Sequence, residues 1–536
     1  MHKFDFDYIV IGSGFGGSTA AYRLTEKGYR VGVFEMGKRY YTKDFPKTNW
    51  NLKKFMWLPL LGLHGFFRTK LFKHVWVLAG TGVGGGSLVY ANTLLEPDES
   101  IWEDPKWQHL KNWKSTMPGF YKTAQHMLGV TKNQYLGQAD KCVRSTADKL
   151  GLGKTFYTTD VGVFFGEKEK TVSDPYFNGK GPDRTGCHFC GGCMVGCRYG
   201  AKNTLDKNYL YLAEKLGTTI IPETKVISVK PIDDCHDGQK GYEITTTSTF
   251  NFFKKKKVFK SKGVVFSGGV LGTIPLLLKS KKRGDLPALS PQVGHYVRTN
   301  SEAIIGVRMK DKSLDFSDGI AIGSGIYVDK DTHIEPVRYS KGSDSLSLIT
   351  TILAGNKPGI GRIFKWLGTN LRHPINFFRV LNPFGLATST IILLVMQPIS
   401  SYLQLRYQRY WFFPFFKRLQ TINNGEKIPV VIPQANNFAR KMAAQFDGIP
   451  LTSLTEIFLN VPTTAHILGG AVMGENAKEG VIDAQNKVFN YQNMYVCDGS
   501  MIGANLGVNP SLSIVALTEH AMSYIEPKSN AFKDCK

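Results

Sequence analysis

"DYIVIGSGFGGS", residues 7–18, is the stretch whose reading decides the architecture. Residues 7–11 form a short apolar run suited to a parallel strand buried on both faces. Gly12, Gly14 and Gly17 follow at G-x-G-x-x-G spacing, then a helix-like "STAAYRLTEKG" and a second strand, "RVGVFEMG". Glu35 closes that second strand, 23 residues after Gly12. Strand, helix and terminal acid in register make a complete βαβ dinucleotide fingerprint. Gly12 permits the tight turn, Gly14 lets a pyrophosphate approach the backbone, and Gly17 lets helix pack on strand. The phosphates belong at the helix N-terminus, where free N–H groups and the helix dipole favour anions. Glu35 would accept hydrogen bonds from ribose hydroxyls.

The fingerprint alone does not separate FAD from NAD. A second cluster, "GTGVGGGSLVYAN" (residues 80–92), follows the apolar run "VWVLAG". With Gly82, Gly84, Gly85 and Gly86, this backbone can lie flat against a planar ring system, which points to FAD.

At 536 residues, the chain requires two or more domains, consecutive or interleaved. A content of 42% hydrophobic and 21% charged residues is that of a globular protein with a sizeable core. No secretory signal is visible and no apolar run reaches the roughly 18 residues of a spanning helix. The expectation is a cytoplasmic chain with reduced thiols, free or in peripheral contact with a membrane. The net charge of +24 is concentrated partly in "FFKKKKVFKSK" (252–262) and "KSKKR" (279–283). Solvated hairpin tips and loop ends account for such runs. No nucleic-acid-binding motif accompanies them, so no nucleic-acid partner is expected. An anionic membrane surface is the better alternative, because "RIFKWLGTNLRHPINFFRV" (362–380) and "YLQLRYQRYWFFPFFKR" (402–418) mix cations with Trp and Phe. A substrate-domain core with snorkelling cations explains the same mixture.

The C-terminal third offers "TTAHILGGAVMG", with His466 before a Gly-Gly turn, and "GVNPS", with Asn509 before a proline. Imidazole can act as a base near neutral pH, and an amide can donate or accept without titrating. In isolation, His466 reads as a structural histidine.

Half of the eight cysteines fall in "GCHFCGGCMVGCR", which places Cys187, Cys190, Cys193 and Cys197 in a C-x2-C-x2-C-x3-C array. This is iron–sulfur spacing; zinc more often takes two separated C-x2-C knuckles. Arg198 stands where ferredoxins carry proline, and no second array exists. A cluster, a zinc ion and four reduced cysteines in a tight turn all remain open.

The two glycine clusters resemble those of the glucose–methanol–choline (GMC) flavin oxidoreductases. "KGVVFSGGVLGTIPLLLKS" (262–280) is similar to the family's second signature. "NMYVCDGSMIGANLGVNPSLSIVALTEHAMSYI" is similar to its closing flavin segment, with Asp498 and Gly499 in the D-G position. The likeness is strongest to the bacterial cholesterol oxidase branch.

The resemblance implies an α/β fold, in which a Rossmann-like FAD-binding domain (1–95, 185–310, 455–536) is interleaved with an α+β substrate-binding domain on an antiparallel sheet (96–184, 311–454). It implies FAD contacts from Gly12, Gly14, Gly17, Glu35, Gly82, Val83, Gly86, Ser87, Asn92, Val226, Asp498, Gly499, Asn509 and Pro510. His466 and Asn509 match the family's catalytic pair. "HIEPVRY" (333–339) resembles the segment that carries an isomerising carboxylate, which makes Glu335 the candidate; Glu302 is a weaker second and an ion pair with Arg338 the structural alternative. Tyr90, Ile467 and Ser511 depart from the family's asparagine, proline and aromatic. The implied activity is hydride transfer from a bulky apolar alcohol, sterol-like, to FAD, with oxygen as acceptor. Two alternatives stay open: a dehydrogenase passing electrons through the cysteine array to a quinone or partner protein, and a non-redox FAD protein such as a lipid hydratase.

Overall fold

The structure is a computed structural model describing residues 4–232, 236–250, 255–356, 358–410, 413–423, 425 and 427–528. The apolar run of the fingerprint becomes β1 (Phe6–Ile11), followed by α1 (Phe15–Glu26) and β2 (Val31–Phe34). Strands β3 (Thr219–Ile221), β4 (Thr224–Pro231), β5 (Tyr242–Ser248) and β6 (Lys256–Phe266) complete this sheet in the order β3-β2-β1-β6-β5-β4. The short strand Met494–Val496 pairs with the end of β6.

β6 has a double role. Its solvent-facing first half pairs antiparallel with β5, and its buried second half runs parallel to β1, with Val265 opposite Val10. The change follows the sequence, from "KKVFK" to "GVVF", because parallel strands are covered on both faces. Residues 255–258 of the basic run are exposed at the start of this strand; residues 252–254 lie outside the described residues. The second basic run closes α2 (Val270–Arg283), where cations complement the helix dipole.

The second sheet is built on β7 (Ala303–Met309), β8 (Ser324–Tyr327) and β9 (His333–Val337). Two surface helices follow, α3 (Ile360–Arg372) and α4 (Pro374–Leu381). Then come β10 (Thr390–Met396), α5 (Pro433–Gln445) and β11 (Gly448–Ser453). All its pairings are antiparallel, and two short strands, Thr350–Ile352 and Tyr157–Thr158, form its edges. Strand alternation divides its faces. Ile391, Leu393 and Val395 pack in the core shared with α5, whereas Thr390, Ile392 and Leu394 face a large cavity.

Two stretches sit differently from the expected domain borders. β7 belongs to the second sheet, so the later segment of that domain includes residues 303–309, ahead of the expected start at 311. The helix Trp113–Met127 buries Trp113, Met117 and Tyr121 in the nucleotide-side core, because its apolar face meets the final helix, Ser511–Ser523.

Candidate active site

The two glycine clusters meet backbone to backbone. Gly12 has φ +104, and a Cβ there would stand 2.3 Å from the Ser267 carbonyl oxygen. Gly85 has φ +52, and a Cβ there would stand 2.6 Å from the Gly14 Cα. The Ser13 hydroxyl joins them, accepting from the Gly84 N–H at 3.1 Å and donating to Glu35 Oε2 at 2.8 Å. Glu35 Oε1 accepts from the Gly37 N–H at 2.8 Å. Burial pushes the Glu35 pKa up, against the pull of these donors.

Between the two sheets lies a cavity of about 2600 Å³, counting its open mouth. Gly12, Gly14, Glu35, Gly86, Val226, Asp498, Gly499, Asn509 and Pro510 all line it. Gly17, Gly82, Val83, Ser87 and Asn92 stand behind this wall. Gly17 packs α1 on the turn, 2.1 Å separating its would-be Cβ from the Gly12 oxygen. Ser87 shapes the second loop, donating to Gly84 O at 2.7 Å and accepting from Leu205 N at 3.1 Å. Asp498 clasps the second signature, accepting from Gly269 N at 2.9 Å and Thr273 Oγ1 at 2.5 Å.

At the far end, Thr463–Thr464 pairs with Trp76–Val77 and Leu468 bridges to Arg298, which fixes His466 at the cavity wall. The His466 ring Nδ1 is bonded to Glu302 Oε1, and the Ala465 N–H donates to Glu302 Oε2 at 2.6 Å. Burial alone would lower the His466 pKa, but the Glu302 charge and hydrogen bond outweigh it, and the net shift is upward. Asn509 Nδ2 donates to Glu335 Oε2 at 3.2 Å. Glu335 Oε1 and Asn509 Oδ1 are buried without a hydrogen-bond partner among the described residues. Burial pushes the Glu335 pKa up to about 7, with the Asn509 bond and the His466 charge opposing. Arg338 pairs instead with Asp140, so Glu335 is not in a surface ion pair with it.

Glu335 shares the cavity-facing side of β9 with Val337 but stands behind Asn509. Glu302 stands behind His466, and this supporting place was not legible as such in the sequence. Nor was Asn300. Its backbone N–H donates to Asn505 Oδ1 at 2.8 Å, its Nδ2 donates to Val508 O at 2.9 Å, and its Oδ1 accepts from Gly507 N at 2.9 Å. Asn300 and Ser301 both have positive φ, a corner that turns Glu302 towards His466 and ties it to the segment carrying Asn509.

GMC oxidoreductase family models match residues 180–296 and 416–518, and an NAD(P)-binding Rossmann-like model matches residues 10–76. A cholesterol oxidase of Acinetobacter baumannii is 51% identical, the match covering 98% of this chain and 96% of the relative. A cholesterol oxidase of Mycobacterium tuberculosis is 45% identical, covering 97% and 91%. Among solved structures, pyridoxine 4-oxidase from Mesorbium loti superposes with a TM-score of 0.62 at 14% identity, covering 96% of this chain and 98% of that one. The chain belongs to the GMC oxidoreductase family, in its cholesterol oxidase-like branch.

It is therefore an FAD-dependent oxidoreductase acting on CH–OH donors. The residues present fit the cofactor. Helix α1 starts at Gly14 with no side-chain cap and no acidic residue in its first turn, which leaves N–H donors for a pyrophosphate. A Cβ at Gly14 would meet nothing within 4 Å, so this backbone borders open space.

The cysteine array lies directly behind the flavin loop. Met194 lines the large cavity, while its neighbours Cys193 and Val195 line a small pocket that all four array cysteines share. Cys187 is buried and Cys190 exposed, and all four are free thiols. Among the described residues, no three or more His, Cys, Asp or Glu side chains converge to hold a metal ion. A buried cation links the two loops. The Lys202 ammonium donates to Cys193 O at 2.8 Å and Leu88 O at 3.0 Å, and lies 4.7 Å from the Tyr90 ring centroid. Tyr90, one of the departures from the family pattern, donates to Asn203 O at 2.8 Å.

Proposed function

We propose that this oxidoreductase oxidises a sterol hydroxyl and then shifts a ring double bond in the product. The carrying observation is the Glu302–His466 and Asn509–Glu335 pairs meeting at the end of a cavity walled by Ile304, Ile322, Val337, Ile392 and Leu394. The full-length relatives named cholesterol oxidase support the substrate class. FAD, when bound, supplies the hydride acceptor. His466, with Nδ1 engaged by Glu302, keeps Nε2 to take the hydroxyl proton. Asn509 Oδ1 has no other partner among the described residues and can orient the hydroxyl. Glu335, with a pKa near neutrality, can take a proton from one ring carbon and return it to another. Oxygen is the acceptor in this reading, giving ketone and hydrogen peroxide. Anaerobic mixing tests it. A sterol should bleach the flavin bands and air should restore them with peroxide formed. Bleaching by long-chain alcohols but not by sterols would overturn the substrate assignment.

The same reading has the enzyme draw its substrate from a bilayer. α3 and α4 support it, since Phe364, Leu371, Ile375 and Phe378 are each about two-thirds or more exposed. No helix among the described residues is long and apolar enough to cross a membrane.

A further inference from the structure

A second cavity opens between α3, α5 and the start of β11, away from the flavin site. Arg362, Lys365 and His373 reach it from the α3 side, Arg440 from α5, and Asn356 and Asn376 add amide groups. None of its described lining residues is acidic. Arg362 is fully buried and bonds Glu456 at 3.2 Å, yet its Nε has no hydrogen-bond partner among the described residues. Glu456 also accepts from Thr452, so this carboxylate is already shared. Arg440 bonds only a neutral partner among the described residues, Asn356 Oδ1, at 3.0 Å. Among the described residues, the Lys365 ammonium and the His373 ring have neither a hydrogen bond nor an ion pair, and the Lys365 stem lies along Gly355. Arg362 is the buried member of this set and Arg440 is half-buried, while Lys365 and His373 are exposed. A buried guanidinium with a spare donor is costly unless an anion meets it, and guanidinium forks suit phosphate oxygens.

The neighbouring surface says which kind of anion. Ile360, Phe364, Leu367 and Leu371 recur at helical spacing along α3 and are all exposed; Ile375 and Phe378 extend the apolar surface onto α4. A free phosphate needs no such stripe, whereas a lipid layer covers it. We propose that this cavity binds the phosphate of an anionic phospholipid while the α3–α4 stripe dips among the acyl chains.

β11 couples the two sites in space. Gly448, Ile449 and Pro450 wall the phosphate pocket, and the next three residues, Leu451, Thr452 and Ser453, line the catalytic cavity. A headgroup seated here sets that cavity beside the bilayer. The inference rests on the reading that substrate comes from a membrane.

The test uses FAD-loaded protein and sterol-free vesicles, so it reads no turnover and stands apart from the substrate assignment. Wild-type protein should co-sediment with phosphatidylcholine vesicles containing phosphatidylglycerol. The double variant Lys365→Ala/Arg440→Ala should lose about 30-fold in partition, as expected for two cations near an anionic surface. Lys256→Ala/Lys257→Ala removes the same charge from the exposed start of β6 and should change partition less than about twofold. Phe364→Ser should weaken binding to vesicles with and without phosphatidylglycerol. Melting temperature and flavin content check that each variant is folded. Equal losses in the two charge variants, or undiminished binding by Lys365→Ala/Arg440→Ala, would overturn the site. Loss of inorganic phosphate binding with unchanged vesicle partition would overturn the lipid assignment.

Discussion

Glu302 holds His466 by two bonds to one short segment: its Oε1 to the ring Nδ1 and its Oε2 to the Ala465 N–H at 2.6 Å. The carboxylate is fully buried, so its charge acts on the imidazole with little screening. It fixes the ring's orientation and tautomer and favours the imidazolium that forms when the hydroxyl proton arrives.

Replacing Glu302 by Gln keeps the shape and removes the charge. The His466 pKa, raised by Glu302, should then fall. His466 acts in its unprotonated form, so the acid limb of the kcat/KM profile should move to lower pH. The imidazolium loses its counter-charge at the same time, and kcat should drop by about tenfold or more. An acid limb that stays in place would remove Glu302 from this role.

His466→Ala should retain FAD, because His466 stands at the far end of the cavity from the Gly12–Gly14 turn. Anaerobic reduction by sterol should slow by about 10²–10⁴, the usual worth of a positioned proton acceptor. Unchanged reduction kinetics would leave the ring without a catalytic part.

The nucleotide half was legible because each signal there is local. Gly12, Gly14 and Glu35 line the cavity. The catalytic half was legible only in part. His466 and Asn509 stand in recognisable Gly-rich and Pro-flanked turns, but what they do depends on partners 164 and 174 residues away. No periodicity marks Glu302 as the partner of His466, and nothing local marks Asn300 as the corner that joins them. Gly82, Ser87 and Asn92 illustrate the converse limit. A glycine-rich loop can be recognised from sequence, but which members face the ligand depends on how it folds against Gly14 and Leu205. The second sheet's border is not legible for a similar reason: β7 pairs with strands that follow it by about 80 to 150 residues.

Glu335→Gln separates the two steps. Oxidation should persist, and the ketone should accumulate with its double bond unmoved, because an amide cannot shuttle a proton between carbons. A stability difference should accompany this. The folded pKa of about 7 lies above the ordinary value of 4.5, so the protonated carboxyl is favoured on folding. That contribution is present in full below pH 4.5 and is lost as pH rises through about 7. The variant should match wild type near pH 5 and exceed it near pH 8, by up to about 3 kcal/mol. Melting curves at the two pH values check the sign; a larger advantage at pH 5 would contradict it.

Behind the flavin loop, the cysteines and Lys202 divide into a passive and an active part. The described side chains bring no metal-binding set together, whereas Lys202 satisfies two loop carbonyls with one buried ammonium. Cys190→Ser/Cys197→Ser should keep wild-type flavin content, because these thiols line the small pocket and not the large cavity. Lys202→Ala should be the damaging change, because it strands the Leu88 and Cys193 carbonyls at about 1–3 kcal/mol each. It should lower the melting temperature and release FAD more readily on dilution. Stoichiometric iron with sulfide, lost in Cys190→Ser/Cys197→Ser, would instead place an electron-transfer centre one residue from the cavity wall at Met194.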